Sequence, residues 1–281
     1  MILFKKAQNI TEYLKSKRTA SCSIGFVPTM GAIHEGHISL ITKARKENDL
    51  VVASIFINPT QFNNPEDFNK YPVSLELDID LFEKAGCDVL FLPGGNEIYP
   101  PDYKAPHYEL GDLEEIFEGK FRPGHFQGVC QVVDRLLEII IPQCLYLGQK
   151  DYQQCMVLKK LVDIRGYDTK VRIAPTLRET GGLAMSSRNR RLSEKEKEAA
   201  LEIQEQLNFI KTNIQPGPIK DLAERSKQEL ENKGFIVDYF SIANADTLEE
   251  LYSWDGKTLL VVLAAATINQ VRLIDNLVLH G

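Results

Sequence analysis

Ile24-Gly-Phe-Val-Pro-Thr-Met-Gly-Ala-Ile-His-Glu-Gly-His37 begins on apolar Ile24, Phe26 and Val27 and ends on two histidines separated by a glycine-containing turn. The first part, Ile24–Pro28, reads as a short buried strand ended by proline. Ile38–Lys46 follows, with Ile38, Ile41 and Ala44 at spacings of three, the mark of one helix face. The turn between them lies at the carboxyl end of a strand and the start of a helix. Ligands of open α/β sheets bind at that edge. A glycine-containing turn there offers backbone N–H groups and the positive end of a helix dipole to phosphate. His34 and His37 share one face of such a turn, and two imidazoles so placed are able to donate hydrogen bonds to phosphate oxygens as charge builds. An isolated His-x-x-His is more often a pair of helix-surface histidines; the strand mouth reverses that preference. Zinc is not expected, because no third His, Cys or carboxylate stands at the usual spacing.

The same alternation continues outward. Leu50–Ile57 is a β-branched run and reads as a second buried strand. Leu75–Ala85 is helical, with Gly86 where a stop is expected, and Val89–Leu92 is a third strand halted by Pro93-Gly94-Gly95. Gly128–Ile141 is a long amphipathic helix stopped at Pro142. Leu145–Gly148 and Lys170–Ala174 are a fourth and a fifth strand, with a helix between them through about Arg165. Strands alternating with helices, most of the strands apolar on both faces, predict a Rossmann-like parallel sheet covered on both sides. The character changes near Leu177. A charged helix over Ser193–Thr212, the break Gln215-Pro-Gly-Pro218, a helix over Ile219–Lys233, strands over Ile236–Ile242 and Leu259–Ala265, and an alternating Val271–Leu279 predict a smaller α+β domain. The expected division is therefore 1–176 and 177–281.

Composition narrows the function classes. The chain has 281 residues, 43% apolar and 26% charged, with net charge −6. That apolar content is ample for a core, and the acidic balance disfavours a nucleic-acid partner bound by broad phosphate neutralisation. Lys5 and Lys6 are followed by no apolar run, so no secretory signal is expected, and Leu259–Ala266 is far too short to span a bilayer. Five cysteines without a Cys-x-x-Cys pair fit free thiols in a reducing compartment.

Four further constellations join the histidine turn, three of which follow strands or flank the division while one opens the long helix. Asn58-Pro-Thr-Gln-Phe62 supplies amide donors and acceptors through Asn58 and Gln61, suited to hydroxyl or carboxylate recognition. Arg122-Pro-Gly-His-Phe-Gln-Gly128 sets Arg122 and His125 beside glycines, as an anion-facing or dimer-facing loop or a plain surface turn. Gly148-Gln-Lys-Asp-Tyr-Gln-Gln154 offers Lys150 as a point charge for phosphate, Asp151 as an acceptor for ribose hydroxyls, and Gln153 or Gln154 for a polar substrate. Met185-Ser-Ser-Arg-Asn189 places two hydroxyls beside an Arg, suited to a triphosphate; taken alone it reads as an N-capping turn. Together these residues are donors and cations with no serine or cysteine triad. Such a set suits nucleotidyl transfer, where positioning and charge stabilisation do most of the catalysis.

The histidine turn paired with a later Met-Ser-Ser-Arg resembles the HIGH/KMSKS nucleotidyltransferase superfamily. PTMGAIHEGH, FINPTQF, RPGHFQGV, GQKDYQQ and AMSSRN, in this order and with Arg272–Asn276 (RLIDN) behind them, are similar more closely to the pantothenate synthetase (pantoate–β-alanine ligase) family, over about Gly25 to Asn276. The resemblance implies that pantoate attacks the α-phosphate of ATP to give pantoyl adenylate and pyrophosphate, and that β-alanine then attacks the acyl carbon to give pantothenate and AMP, with Mg²⁺ accompanying ATP. It implies nucleotide contacts from Met30, Gly31, His34, His37, Gly148, Gln149, Lys150, Asp151, Leu177, Met185, Ser186, Ser187 and Arg188. Among these His37, as proton donor, and His34, Lys150, Ser186, Ser187 and Arg188 are implied to be catalytic. Gln61 and Gln154 are implied to hold pantoate, Gln61 also lying near β-alanine, with Asn58, Arg122 and His125 in the same acid- and amine-binding set. A cytoplasmic homodimer is implied as well. Where the family has Arg-Thr and an acidic pair after Tyr-Pro, this chain has Val73-Ser-Leu-Glu-Leu-Asp78, so only Asp78 stands at an acidic position linked with Mg²⁺. Thr267-Ile-Asn-Gln270 also departs from the family's glycine-containing turn. The competing readings are a nucleotidyltransferase acting on a phosphorylated small molecule and a nucleotide-sensing module without chemistry. A tRNA synthetase is disfavoured by the acidic charge.

Overall fold

The computed structural model describes residues 1–19, 21–63, 68 and 71–279. Two compact units divide the chain: Met1–Gly148 with Gln154–Pro175, and Gln149–Gln153 with Thr176–Gly281. The short Gln149–Gln153 stretch thus packs with the second unit although it lies well before residue 176.

The first unit is a six-stranded sheet, parallel throughout. Its strands are β1 (Ile2–Phe4), β2 (Ile24–Thr29), β3 (Leu50–Ile55), β4 (Val89–Phe91), β5 (Cys144–Gly148) and β6 (Lys170–Ala174), in the spatial order β1-β4-β3-β2-β5-β6. The principal helices of this stretch are α1 (Ala7–Thr19), α2 (Glu35–Glu47), α3 (Leu75–Lys84), α4 (His125–Ile140) and α5 (Tyr152–Arg165). The chain runs from β2 through β3 to β4 on one side of β2 and returns to add β5 on the other. The carboxyl ends of β2 and β5 therefore flank the point where the strand order reverses, the edge at which open α/β sheets bind ligands. The five strands read from the sequence are all present. The sixth, β1, is an edge strand of three residues with Ile2 and Leu3 exposed, too short to give a periodic signal.

Pro28 does not end β2; the strand runs on to Thr29. The N–H of Gln143 donates to the carbonyl of Ile24 at 3.0 Å, so even-numbered residues of β2 face β5. The last β2–β5 pair is Phe26 with Leu145. Pro28 lies beyond it, and its missing N–H removes no ladder bond. Pairing with β3 continues at Thr29↔Ile55. One core forms where Val27, Val51, Ala53, Leu90 and Tyr146 of the sheet meet Ile33, Leu40, Ile41 and Ala44 at the start and along the face of α2. In α4 most of the residues are buried; the helix ends as Ile141 turns left-handed ahead of Pro142.

The second unit centres on an antiparallel sheet of β7 (Ile236–Asn244), β8 (Leu260–Ile268) and β9 (Val271–Leu279), with β8 in the middle. Helices α6 (Glu194–Asn213) and α7 (Lys220–Asn232) cover it, Ile203, Leu207, Ile210 and Leu230 joining Phe240, Ile242, Val262 and Ala264 in one core. Ser193 caps α6 in a reciprocal arrangement with Glu196. The turn at Asn269-Gln270 joins β8 to β9 with both residues at positive φ, 43° and 69°. A two-residue hairpin of that kind favours glycine at its second position, which is where this chain departs from the family's turn. Among the described residues no helix is long and apolar enough to cross a membrane.

Candidate active site

The turn after β2 is held from beneath. Gly31 and Ala32 are both left-handed, with φ of 87° and 52°. The second of these is unusual for a residue with a Cβ. The carboxylate of Asp78 on α3 holds the turn there: Ala32 N–H donates to Oδ2 at 2.8 Å, Ile33 N–H to Oδ1 at 2.9 Å, and the Ser74 hydroxyl to Oδ1 at 2.9 Å. Asp78 is 1% exposed. The N–H groups that the sequence offers to phosphate at Ala32 and Ile33 are therefore turned inward onto a carboxylate. What the turn presents instead is side chains.

The carboxylate expected to meet a metal at Asp78 is engaged by the protein. It accepts three protein hydrogen bonds, and among the described residues no group of three His, Cys, Asp or Glu is placed to hold a metal ion. The residues present do not fit a protein-held metal. Asp78→Ala strands two buried N–H groups, each costing about 1–3 kcal/mol. We expect urea unfolding to show a loss of roughly 2–5 kcal/mol and Mg²⁺ without ATP to leave the melting temperature unchanged. A melting temperature that rises with Mg²⁺ alone would return Asp78 to the metal.

His34 and His37 form the N-terminal cap of α2. Gly36 N–H donates to Nδ1 of His34 at 3.1 Å, and His34 N–H to Nδ1 of His37 at 3.4 Å. The rings lie 4.1 Å apart between centroids, inclined by 35°. A ring nitrogen that accepts carries no proton, so each neutral imidazole holds its proton on Nε2. Two N–H donors three residues apart are thus fixed in tautomer by the helix start itself. Both side chains are partly buried at this helix start.

The turn after β3 is a second built feature. Asn58 is 1% exposed. Its Nδ2 donates to the carbonyl of Gly128 at 3.0 Å and to Oε1 of Gln61 at 3.2 Å, while its Oδ1 accepts from the Thr60 N–H at 3.4 Å, the Thr60 hydroxyl at 3.0 Å and the Tyr99 hydroxyl at 3.0 Å. Gln61 Nε2 lies 3.0 Å from Sδ of Met30, which joins the turns after β2 and β3. His125, 5% exposed, sets Nδ1 2.8 Å from the carbonyl of Gln61; a carbonyl only accepts, so Nδ1 donates. Gly128 lets α4 come this close, since a Cβ there would stand 2.4 Å from the carbonyl of Thr60. The Arg122 guanidinium sits 3.6 Å from Glu118, whose side chain is almost wholly buried. Of the residues the sequence assigns to acid and amine binding, Asn58, Arg122 and His125 thus have protein partners, and Gln61 is held by two of them, Asn58 and His125. Gln154 lies half-buried in the first turn of α5, beyond Gly148 at the end of β5. Tyr99 and the close approach at Gly128 escape sequence reading: the tyrosine follows a short helix far from any motif, and the glycine's neighbour comes from another strand's loop.

In the second unit, Gln149, Lys150 and Asp151 form one 3₁₀ turn. Asn276 Nδ2 donates to the carbonyls of Gln149 and Lys150 at 2.9 and 2.8 Å, and its Oδ1 accepts from Gln149 Nε2 at 3.2 Å. Lys150 Nζ stands 3.7 Å from Asp151, with the lysine side chain 15% exposed. Asp275 binds Arg178 through both oxygens, at 2.6 and 3.0 Å, and Arg178 also reaches the carbonyl of Gly182. Leu177 and Met185 are joined by a backbone bond of 3.0 Å. Ser186 then caps the 3₁₀ turn Ser187–Arg191 by accepting the Arg188 N–H at 3.2 Å. The Arg-Leu-Ile-Asp-Asn run of β9 thus braces the Gln149–Lys150 turn through Asn276 and the Arg178 segment through Asp275, a role its sequence does not announce. None of the five cysteines is in a disulfide, and burial pushes the thiols of Cys87 and Cys130 up, Cys87 to about 12. Neither is a thiolate nucleophile at neutral pH.

The profile of the family described as Pantoate-beta-alanine ligase matches residues 2–278. Pantothenate synthetase of Cytophaga hutchinsonii is 45% identical over 284 residues, covering 99% of each chain. The crystal structure of pantothenate synthetase from Thermus thermophilus superposes with a TM-score of 0.90 at 37% identity, over 99% of each chain. That of the pantoate-beta-alanine ligase from Francisella tularensis, described as complexed with beta-gamma ATP and beta-alanine, superposes with a TM-score of 0.82 at 39% identity, over 99% of this chain and 97% of that one. A match of this length, with the sheet order and the motif turns above, makes the chain a ligase that belongs to the pantoate-β-alanine ligase family.

Proposed function

We propose that the chain condenses pantoate with β-alanine through a pantoyl-adenylate, with ATP cleaved to AMP and pyrophosphate. A pantoate carboxylate oxygen attacks the α-phosphorus and the bond to the pyrophosphate oxygen breaks. The β-alanine nitrogen then attacks the acyl carbon, its proton is lost, and AMP leaves. The observation that carries this reading is the cap at His34 and His37. Two neutral imidazoles present Nε2–H donors at a strand mouth, suited to oxygens that gain charge as pyrophosphate departs. Family membership and the relative described with an ATP analogue and β-alanine support the choice of substrates.

The remaining assignments follow the donors. Gln61 and Gln154 bind pantoate. Met30 and Gly31 line the nucleotide side of the histidine turn. In the second unit Gln149, Lys150, Asp151, Ser186, Ser187 and Arg188 serve the nucleotide. Mg²⁺ is assigned to the ATP phosphates and to no side chain. We also assign the chain to the cytoplasm, as a homodimer.

Among the described residues no side chain is placed as a covalent nucleophile, so the adenylate is expected free and bound. Pantoate alone should support exchange of labelled pyrophosphate into ATP. Exchange that strictly requires β-alanine would sink the two-step scheme. Exchange indifferent to pantoate would move the chain to another acid.

A further inference from the structure

Two amides in the turn after β3 have their orientation fixed by groups that play one role only. The Gly128 carbonyl can only accept, and the Asn58 atom facing it at 3.0 Å is therefore nitrogen. The Thr60 N–H can only donate, and the Asn58 atom facing it at 3.4 Å is therefore oxygen. Oxygen and nitrogen of that carboxamide cannot be exchanged. It follows that the Tyr99 hydroxyl, 3.0 Å from Oδ1, is the donor of its pair. Burial pushes this phenol up to about 12, so it keeps its proton at any physiological pH.

The same logic passes to Gln61. The second N–H of Asn58 Nδ2 points at the Gln61 carboxamide at 3.2 Å, so the atom it meets is Oε1. Nε2 is turned the other way, 3.0 Å from Sδ of Met30. A thioether is a weak acceptor, and a ligand oxygen in its place makes the stronger bond. Asn58 is sealed from solvent, whereas Gln61 is half-exposed.

We propose that Asn58, oriented by Tyr99, is a positioning residue that fixes Gln61 as a hydrogen-bond donor only, so that what Gln61 reads is an acceptor oxygen of a hydroxy-acid substrate. Asn58 itself touches no substrate. The proposal rests on the ligase reading for the identity of that acid.

A double-substitution cycle tests it with pantoate, ATP and β-alanine. Asn58→Ala should lower kcat/KM for pantoate by about tenfold or more, the coupling common in hydrogen-bond networks. In a Gln61→Ala background the same substitution should change it less than about twofold, because the residue it positions is gone. A loss of the same size in both backgrounds overturns the positioning role, since a substrate contact or a general folding defect would persist without Gln61. Tyr99→Phe, which keeps the ring and removes one hydroxyl, tests the same link if Asn58→Ala does not fold, and its effect too should vanish beside Gln61→Ala. Polarity is tested by Gln61→Glu, which sets an acceptor where Nε2 stood. It should be no better than Gln61→Ala, and a tenfold better kcat/KM would overturn the donor assignment. Pantoate-dependent turnover by the unsubstituted chain tests the ligase reading by itself, whereas the cycle compares variants with one another.

Discussion

Replacing His37 by alanine is expected to lower kcat by about 10²–10³, the effect of removing one donor aimed at developing negative charge, or roughly 2.7–4 kcal/mol. The argument rests on the tautomer. Nδ1 of His37 accepts the His34 N–H at 3.4 Å, which leaves the proton on Nε2 without any need for the ring to be charged. A neutral donor gains most when the partner oxygen becomes more negative, so the loss should fall on kcat more than on KM for ATP. The cap itself is also weakened. Loss of a capping side chain costs about 0.5–2 kcal/mol of stability, which lowers the melting temperature without slowing a folded, saturated enzyme. His37→Gln separates the two effects, because its amide N–H₂ reaches toward the position of Nε2 and should recover part of kcat. Steady-state rates at saturating substrates, read beside melting curves, decide the matter. A His37→Ala variant with near-normal kcat would leave His37 with its capping role alone.

That cap also shows what the sequence can and cannot carry. The strand before it and the helix after it are legible because Ile24, Phe26 and Val27, then Ile38, Ile41 and Ala44, repeat with the periods of their elements. The location of the site at the carboxyl end of β2 follows from order alone. What the turn offers to a ligand does not follow, because the partner of Ala32 and Ile33 is Asp78, 45 and more residues away on another helix. A motif quotes residue types; it does not say which donors are already used. The same limit separates Gln61 from Asn58 and His125. All three stand in polar turns of similar chemistry, yet two of them are buried with a carbonyl neighbour engaging a side-chain nitrogen. Helix α1 escapes the sequence for a different reason: among its described residues the buried ones are Ile10 and Leu14, one narrow stripe in a polar segment. In the second unit, Asn276 stands in a run whose residue types suggest no role, since its work is to tie the Gln149–Lys150 backbone across more than a hundred residues.

Removing the 2-hydroxyl of pantoate should reduce kcat/KM far more than removing one of its methyl groups. A site built to bond a hydroxyl leaves its own polar group dry and unpaired when the hydroxyl is absent, and discrimination of about 10⁴–10⁵ is attainable; one missing methylene gives only roughly 10–200-fold. Gln61 meets the condition for such discrimination because its carboxamide cannot turn. Oε1 is taken by Asn58 and Nε2 faces outward to Met30 Sδ, so an unfilled Nε2–H finds no better partner by rotating. A freely rotating glutamine would relax toward water and discriminate less. The hydroxyl's own proton needs an acceptor as well, and Gln154, half-buried at the start of α5, is assigned to supply it. Gln61→Ala and Gln154→Ala should each shrink the preference for the hydroxylated acid, since the group left unpaired by the analogue is then gone. The methyl preference should be the same in all three proteins, because neither amide contributes to it. Kinetics of the two analogues with the unsubstituted chain and both variants measure this directly. A hydroxyl preference that survives both substitutions intact would show that these glutamines are not its readers and that the acid is recognised elsewhere in the site.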